Sequence, residues 1–143
     1  MSDPKPTPPY GRFHIPEVAA SFPNTAETTI VDTYLTDTES ASSRVFRAYT
    51  PGAPHYHAHS DEHLYVLSGR GIFWMETPDN AAPFAPGDFV FFKRNTIHAM
   101  PEIHEGPVIF LAVDTPRRQP TDVIFVNPAD GTPESFIQSQ VLY

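Results

Sequence analysis

Short runs rich in Val, Ile, Phe, Tyr and Thr recur along the chain, at residues 28–35, 44–49, 63–67, 72–75, 89–92, 108–113 and 123–126. Each has strand length and is bounded by proline or other turn residues. The 17 prolines fall every few residues and leave almost no window for a long helix. Proline removes a backbone donor and clashes with the preceding turn of a helix. Many short strands at this spacing predict an all-β sandwich or barrel. Two short helical pieces are predicted, near residues 17–21 and 134–140. Residues 77–87 (TPDNAAPFAPG) read as a loop between strands, and residues 3–9 (DPKPTPP) as an extended or disordered arm.

Alternation along a strand decides which side chains share a face. His55 and His57 lie two apart, so on a strand they point the same way. With Glu62 facing inward, Leu64 and Val66 face inward as pocket lining and His63 faces outward. With His98 inward, Thr96 and Met100 share its face. Imidazole nitrogens with one carboxylate are what a protein needs to hold a divalent first-row metal. Ligand type alone does not choose among Fe, Mn, Co, Ni and Zn. Arg44 and Arg47 sit on the strand before His55. One of them reaching a substrate carboxylate is weighed against an exposed salt bridge. Tyr49 shares the parity of Arg47 and is a candidate hydrogen-bond donor near the metal. His59 is a candidate catalytic group at the pocket mouth, or else a solvated turn residue. His14 and His104 read as surface residues.

Length and charge narrow the classes. A chain of 143 residues suits one domain with a real core. The net charge of −8, with only nine Lys and Arg, argues against nucleic acid and against anionic membrane surfaces. No cysteine is present, so disulfides and thiolate metal sites are excluded. No apolar run approaches the ~18 residues of a membrane span. The opening MSDPKPTPPYGRF lacks an apolar signal-peptide region, so a cytoplasmic protein is expected.

The motif spacing resembles that of the cupins, a family of small antiparallel β-barrels. Their first motif is a Gly, five residues, His-x-His, three or four residues, Glu, six residues and Gly. Here His55, His57, Glu62 and Gly69 match its second part, while Tyr49 stands at the leading Gly. Their second motif is Gly, five residues, Pro-x-Gly, two residues, His, three residues and Asn. Gly87 and His98 match its ends, with Lys93 for the Pro, Asn95 for the second Gly and Glu102 for the Asn. Asn95 suits the turn, since Asn tolerates the left-handed conformation nearly as Gly does. A frame of His57, His59 and Glu62 is shorter than the family spacing allows. The resemblance covers residues 44–113 most closely.

The resemblance implies an all-β, antiparallel double-stranded β-helix with N- and C-terminal arms. Residues 1–27 would form a proline-rich arm, 28–113 the barrel core and 114–143 a C-terminal extension. It implies one divalent transition metal on His55, His57, Glu62 and His98, iron being favoured. The function expected is an enzyme acting on a small organic substrate, an Fe(II)-type dioxygenase first. A non-redox isomerase or lyase is the second reading, and a small-molecule binding protein with a structural metal the third. A homodimer is expected, because edge strands need cover. The proline arm and the first strand are the available cover, within or between subunits.

Overall fold

The structure is a computed structural model that describes residues 7–140. A short helix, α1 (Ile15–Ala20), leads into β1 (Ile30–Asp37), β2 (Ser42–Ala48) and β3 (Gly52–Tyr56). The long β4 (Asp61–Met75) follows, then β5 (Ala81–Phe84), β6 (Phe89–Phe92) and the long β7 (His98–Thr115). The chain ends in β8 (Ile124–Phe125), a 3-10 turn (Pro128–Asp130), α2 (Pro133–Phe136) and β9 (Ile137–Ser139). This is the double-stranded β-helix that the motif spacing implied.

Two predicted strands, 63–67 and 72–75, are one bent strand, β4. Along Glu62–Tyr65 it pairs with β6, and along Gly71–Trp74 with β5. The bend falls at Gly69, where φ is +93° and an added Cβ would lie 2.7 Å from the Cα of Val108. Only glycine meets both conditions at low cost. The span 77–87, expected to be a loop, contains β5: Ala81–Phe84 pair with β4, and Phe84 enters the core. A strand edge supplied by β4 overrides the weak local propensity of Ala and Pro. β7 likewise extends far beyond residues 108–113 and pairs with β2, β3 and β4.

The strand path runs β5-β4-β7-β2-β1-β9 and does not close. It is also not wholly antiparallel, since β9 lies parallel to β1. The predicted helix 134–140 therefore stops early. Thr132 and Ser135 cap α2 reciprocally, and Ile137 then pairs with Ile30. So β9 covers the first part of the β1 edge, along Ile30–Asp32. Of the proline arm, residues 3–6 lie outside the described residues, and Thr7 Oγ1 donates to the Asp37 carbonyl at 3.0 Å.

Both faces of β2 are buried. Phe46 and Ala48 face the interior with Leu64, Val66, Phe73, Phe92 and Phe110. Val45 faces outward and is covered by Val18 of α1, with Phe22, Val31 and Ile109 around it. Among the described residues, no helix is long and apolar enough to cross a membrane.

Candidate metal centre

His55 lies on β3 directly opposite His98, the first residue of β7. His57 follows β3 by one residue, and Glu62 is the second residue of β4. All four are buried. One ligand nitrogen from each of His55, His57 and His98 lies within 4.8 Å of the others. Each imidazole is pinned through Nδ1 to a backbone carbonyl: His55 to Ala53 at 2.7 Å, His57 to Asp122 at 2.7 Å, His98 to Thr96 at 3.0 Å. A carbonyl only accepts, so Nδ1 carries the proton and Nε2 keeps its lone pair. His98 also stacks on Phe92, with ring centroids 3.9 Å apart. Glu62 Oε1 lies 3.6 Å from Nε2 of His57 and 3.9 Å from Nε2 of His98. Three imidazole lone pairs held by outer hydrogen bonds, with a carboxylate oxygen beside them, fit a divalent transition metal.

The other oxygen of Glu62 belongs to a buried charge network. Oε2 accepts from Arg44 Nη2 at 3.1 Å and from Arg118 Nη1 at 3.3 Å. Glu62 lies directly across from Asp114 on adjacent strands, a placement that repels unless a cation intervenes. Arg44 is that cation. Its Nε donates to Asp114 Oδ2 at 2.8 Å and its Nη1 to Asp32 Oδ2 at 3.0 Å. Asp32 Oδ1 in turn accepts from Ser139 of β9. Burial alone would push the Glu62 carboxyl up. The neighbouring His57, with Arg118 and Arg44, outweighs burial and holds it well below the carboxylate range.

Burial, with the neighbouring imidazoles, pushes His55 well below the ordinary histidine range. Burial and then His57 bring His98 down to about 4. The sign of the pH effect on the metal-free protein follows. As pH falls from 6.5 to about 4, the unfolded chain binds the His98 proton before the folded one does. The stability is whole above that window and falls through it, by on the order of 3 kcal/mol for this residue. His55 acts in the same direction, and Glu62 adds a further loss below the carboxylate range. The chelated protein is therefore expected to melt several degrees lower at pH ~4.5 than at pH ~7.5. Thermal unfolding followed by circular dichroism checks this, and a flat melting temperature across that range would contradict it.

The sequence candidates separate into two groups. His55, His57, Glu62 and His98 come together and line a cavity of about 50 Å³, with Leu64 and Met100 in its wall. Val66 is buried in the same core but does not line the cavity. Tyr49, Arg47 and His59, the catalytic candidates, lie elsewhere. Tyr49 donates to the Pro23 carbonyl at 2.7 Å, and the Arg47 guanidinium lies 4.8 Å from the Tyr49 ring centroid. Both sit on the outer face of β2 under the segment that follows α1. His59 is exposed in a turn, and its N–H donates to Asp122 Oδ2 at 2.9 Å. His63 faces outward against Phe91.

Three contributors from the C-terminal extension were not singled out. Arg118 lies in the cavity wall, and Phe136 packs on His55 with centroids 4.7 Å apart. Asp122 caps the His57 turn by accepting from Ala58 N and His59 N. The one sequence signal was an acidic residue inside an apolar strand, Asp32 in IVDTYL and Asp114 in FLAVDT, which calls for a buried cation. Nothing in PRRQP marked Arg118.

Residues 46–114 match the family described as the Cupin domain. No curated protein matches the chain. Among solved structures, an uncharacterised conserved protein with a double-stranded β-helix domain from Klebsiella pneumoniae is 20% identical, with TM-score 0.57 over 71% of this chain and 88% of that one. KdgF from Halomonas sp. is 22% identical, with TM-score 0.53 over 66% and 87%. Pac13 of Streptomyces, a nucleoside dehydratase, is 20% identical, with TM-score 0.55 over 74% and 88%. Residues 46–114 carry the cupin domain on a double-stranded β-helix, and the three-histidine cluster within them is a candidate metal site.

Proposed function

We propose that this cupin is a metal-dependent enzyme acting on a small organic substrate, with His55, His57, Glu62 and His98 as metal ligands and Fe(II)-type dioxygenation as its reaction. The observation that carries this reading is the chemistry of the cavity wall. Beyond the four candidate ligands, its polar side chains are Thr29, Arg44 and Arg118. Arginine does not give up its proton in proteins, and a threonine hydroxyl is a weak base. An isomerase or lyase requires a positioned acid or base beside the substrate, and these side chains offer none. A dioxygenase is served by an apolar lining around the metal, which Phe46, Leu64, Phe73, Phe92, Met100 and Phe110 provide. When bound, the metal supplies the redox chemistry by which O₂ combines with an organic molecule. The lyase reading stays as the alternative, because a dehydratase shares the fold.

Charge favours an anionic substrate. Two guanidinia, Arg44 and Arg118, face three carboxylates, Asp32, Glu62 and Asp114. That leaves one negative charge, which a divalent ion turns into one positive charge. The test is metal analysis of anaerobically purified protein, joined to an O₂-uptake screen with small carboxylates, diketones and catechols. Bound iron with substrate-dependent O₂ uptake is expected. Bound zinc without uptake would sink the dioxygenase reading.

The same reading includes a homodimer formed through β6. Among the described residues, β6 pairs with β4 alone, and it presents Phe89 and Phe91, 66% and 47% exposed, beside Tyr65 at 40%. Exposed aromatics on an unpaired edge invite a partner. Two copies of β6 running antiparallel place the Asp88 end of one beside the Lys93 and Arg94 end of the other. They also keep Phe89 and Phe91 on one shared face. Light scattering at micromolar concentration is expected to give a dimer mass, and Phe89→Glu with Phe91→Glu a monomer. A wild-type monomer would remove the dimer.

A further inference from the structure

Two guanidinium groups lie against the same oxygen of Glu62, and they are unequally satisfied. Arg44 donates from all three nitrogens to carboxylates, with contacts of 2.8, 3.0 and 3.1 Å. Arg118 uses only Nη1, on Glu62 Oε2 at 3.3 Å and Asp114 Oδ1 at 3.4 Å, both long for charge-assisted bonds. Its Nε is buried without an acceptor, in a residue only 2% exposed. An unpaired donor on a buried cation is costly, and natural structures place few of them without a reason. The side chain is held in place, not free to seek a partner: Arg118 N donates to Ser42 Oγ at 3.0 Å, and its Nη1 is engaged as above. Arg118 lines the cavity that His55, His57, Glu62 and His98 share. Among the described residues Nη2 likewise makes no hydrogen bond, so an acceptor from outside the chain is what this guanidinium lacks.

We propose that Arg118 is the oxyanion-recognition residue of the cavity, and that the ligand it receives is a small carboxylate. One carboxylate oxygen accepts from the Arg118 guanidinium, and the carbon body lies against Phe46, Leu64, Phe73 and Phe110. The cavity of about 50 Å³ is small, so the ligand is a carboxylate of short chain. Arg44 cannot play this part because its donors are taken, and Arg47 lies on the outer face. The inference rests on the proposed function only in taking this cavity as the substrate site. Recognition by Arg118 does not itself require the metal.

The experiment follows the Arg118 side-chain Nε–H resonance of the wild-type protein, assigned through its own backbone. Chelated and metal-loaded samples are titrated with formate and pyruvate, and with acetone as a neutral control. The expected result is a saturable shift with both carboxylates and none with acetone. In chelated Arg118→Gln, pyruvate should bind about tenfold more weakly or worse than to the chelated wild type. A resonance that does not move at saturating carboxylate, because an ordered water alone fills the place, overturns the proposal. So does a folded Arg118→Gln protein that binds pyruvate as the wild type does. If Arg118→Gln fails to fold, the wild-type titration decides by itself. Failure of the metal reading looks different: no metal is retained, yet the chelated protein still shows the carboxylate shift.

Discussion

His57→Ala and His98→Ala are expected to lose the metal, while His63→Ala keeps it. Each of the first two removes an Nε2 lone pair that faces Glu62 Oε1. His63 points away from the cavity, with Nδ1 on the Val113 carbonyl at 3.2 Å. Changes to outer partners of metal ligands cost roughly 10–100-fold in affinity, and loss of a ligand should exceed that. Asp122→Ala supplies the intermediate case. It leaves the carbonyl that holds His57 but frees the turn its carboxylate caps, so a loss within that 10–100-fold range is expected. Metal content after dialysis against a graded chelator series ranks the four variants. Equal loss in His57→Ala and His63→Ala would show that the centre is framed on the wrong residues.

Arg44→Ala should be strongly destabilising. It removes one of two cations from among Asp32, Glu62 and Asp114, all buried, and leaves only the longer Arg118 contacts between the carboxylates that face each other across β4 and β7. Stranding buried charge in this way costs about 3–5 kcal/mol, which in a domain of this size lowers the melting temperature by on the order of 10 °C or more. Arg44→Lys should recover only part, because a single ammonium cannot reproduce the three-nitrogen fork that meets three carboxylates. Arg47→Ala serves as the control. Its contacts are one long hydrogen bond to the Asn24 carbonyl, at 3.5 Å, and the Tyr49 ring, so about 1 kcal/mol or less is expected. Melting curves of chelated protein measure all three. A melting temperature for Arg44→Ala equal to that of Arg47→Ala would mean that the network adds nothing to the fold.

The C-terminal residues have a larger part in both results than their sequence suggests. Asp122 orients His57 from 65 positions away, and Ser139 on β9 supports Asp32 from 107 positions away. What reads as an extension beyond the barrel completes the walls of the cavity and the outer shell of the site.

Two kinds of information were legible in the chain itself. Strand periodicity is local, so alternation placed His55 with His57 and separated Glu62 from His63. Motif spacing then brought His98 to the same cavity. The first follows from the fixed two-residue repeat of extended backbone, and the second from the resemblance of the motifs to those of the cupins. Alternation does not say which face is inside when both are buried. On β2, Val45 is covered by α1 and Phe46 by the barrel interior, so parity could not choose between Arg44 and the pair Arg47 and Tyr49. Tertiary structure made that choice, because the acidic partners of Arg44 come from β1, β4 and β7. It also recruited Arg118 and Phe136 from a turn-rich segment with no strand period, and it turned residues 81–84 into β5 by offering the open edge of β4. The positions that alternation and spacing govern belonged to the sequence by itself. Inside versus outside, buried ion pairing and edge-strand recruitment depend on residues far apart in the chain, and only the folded arrangement decided them.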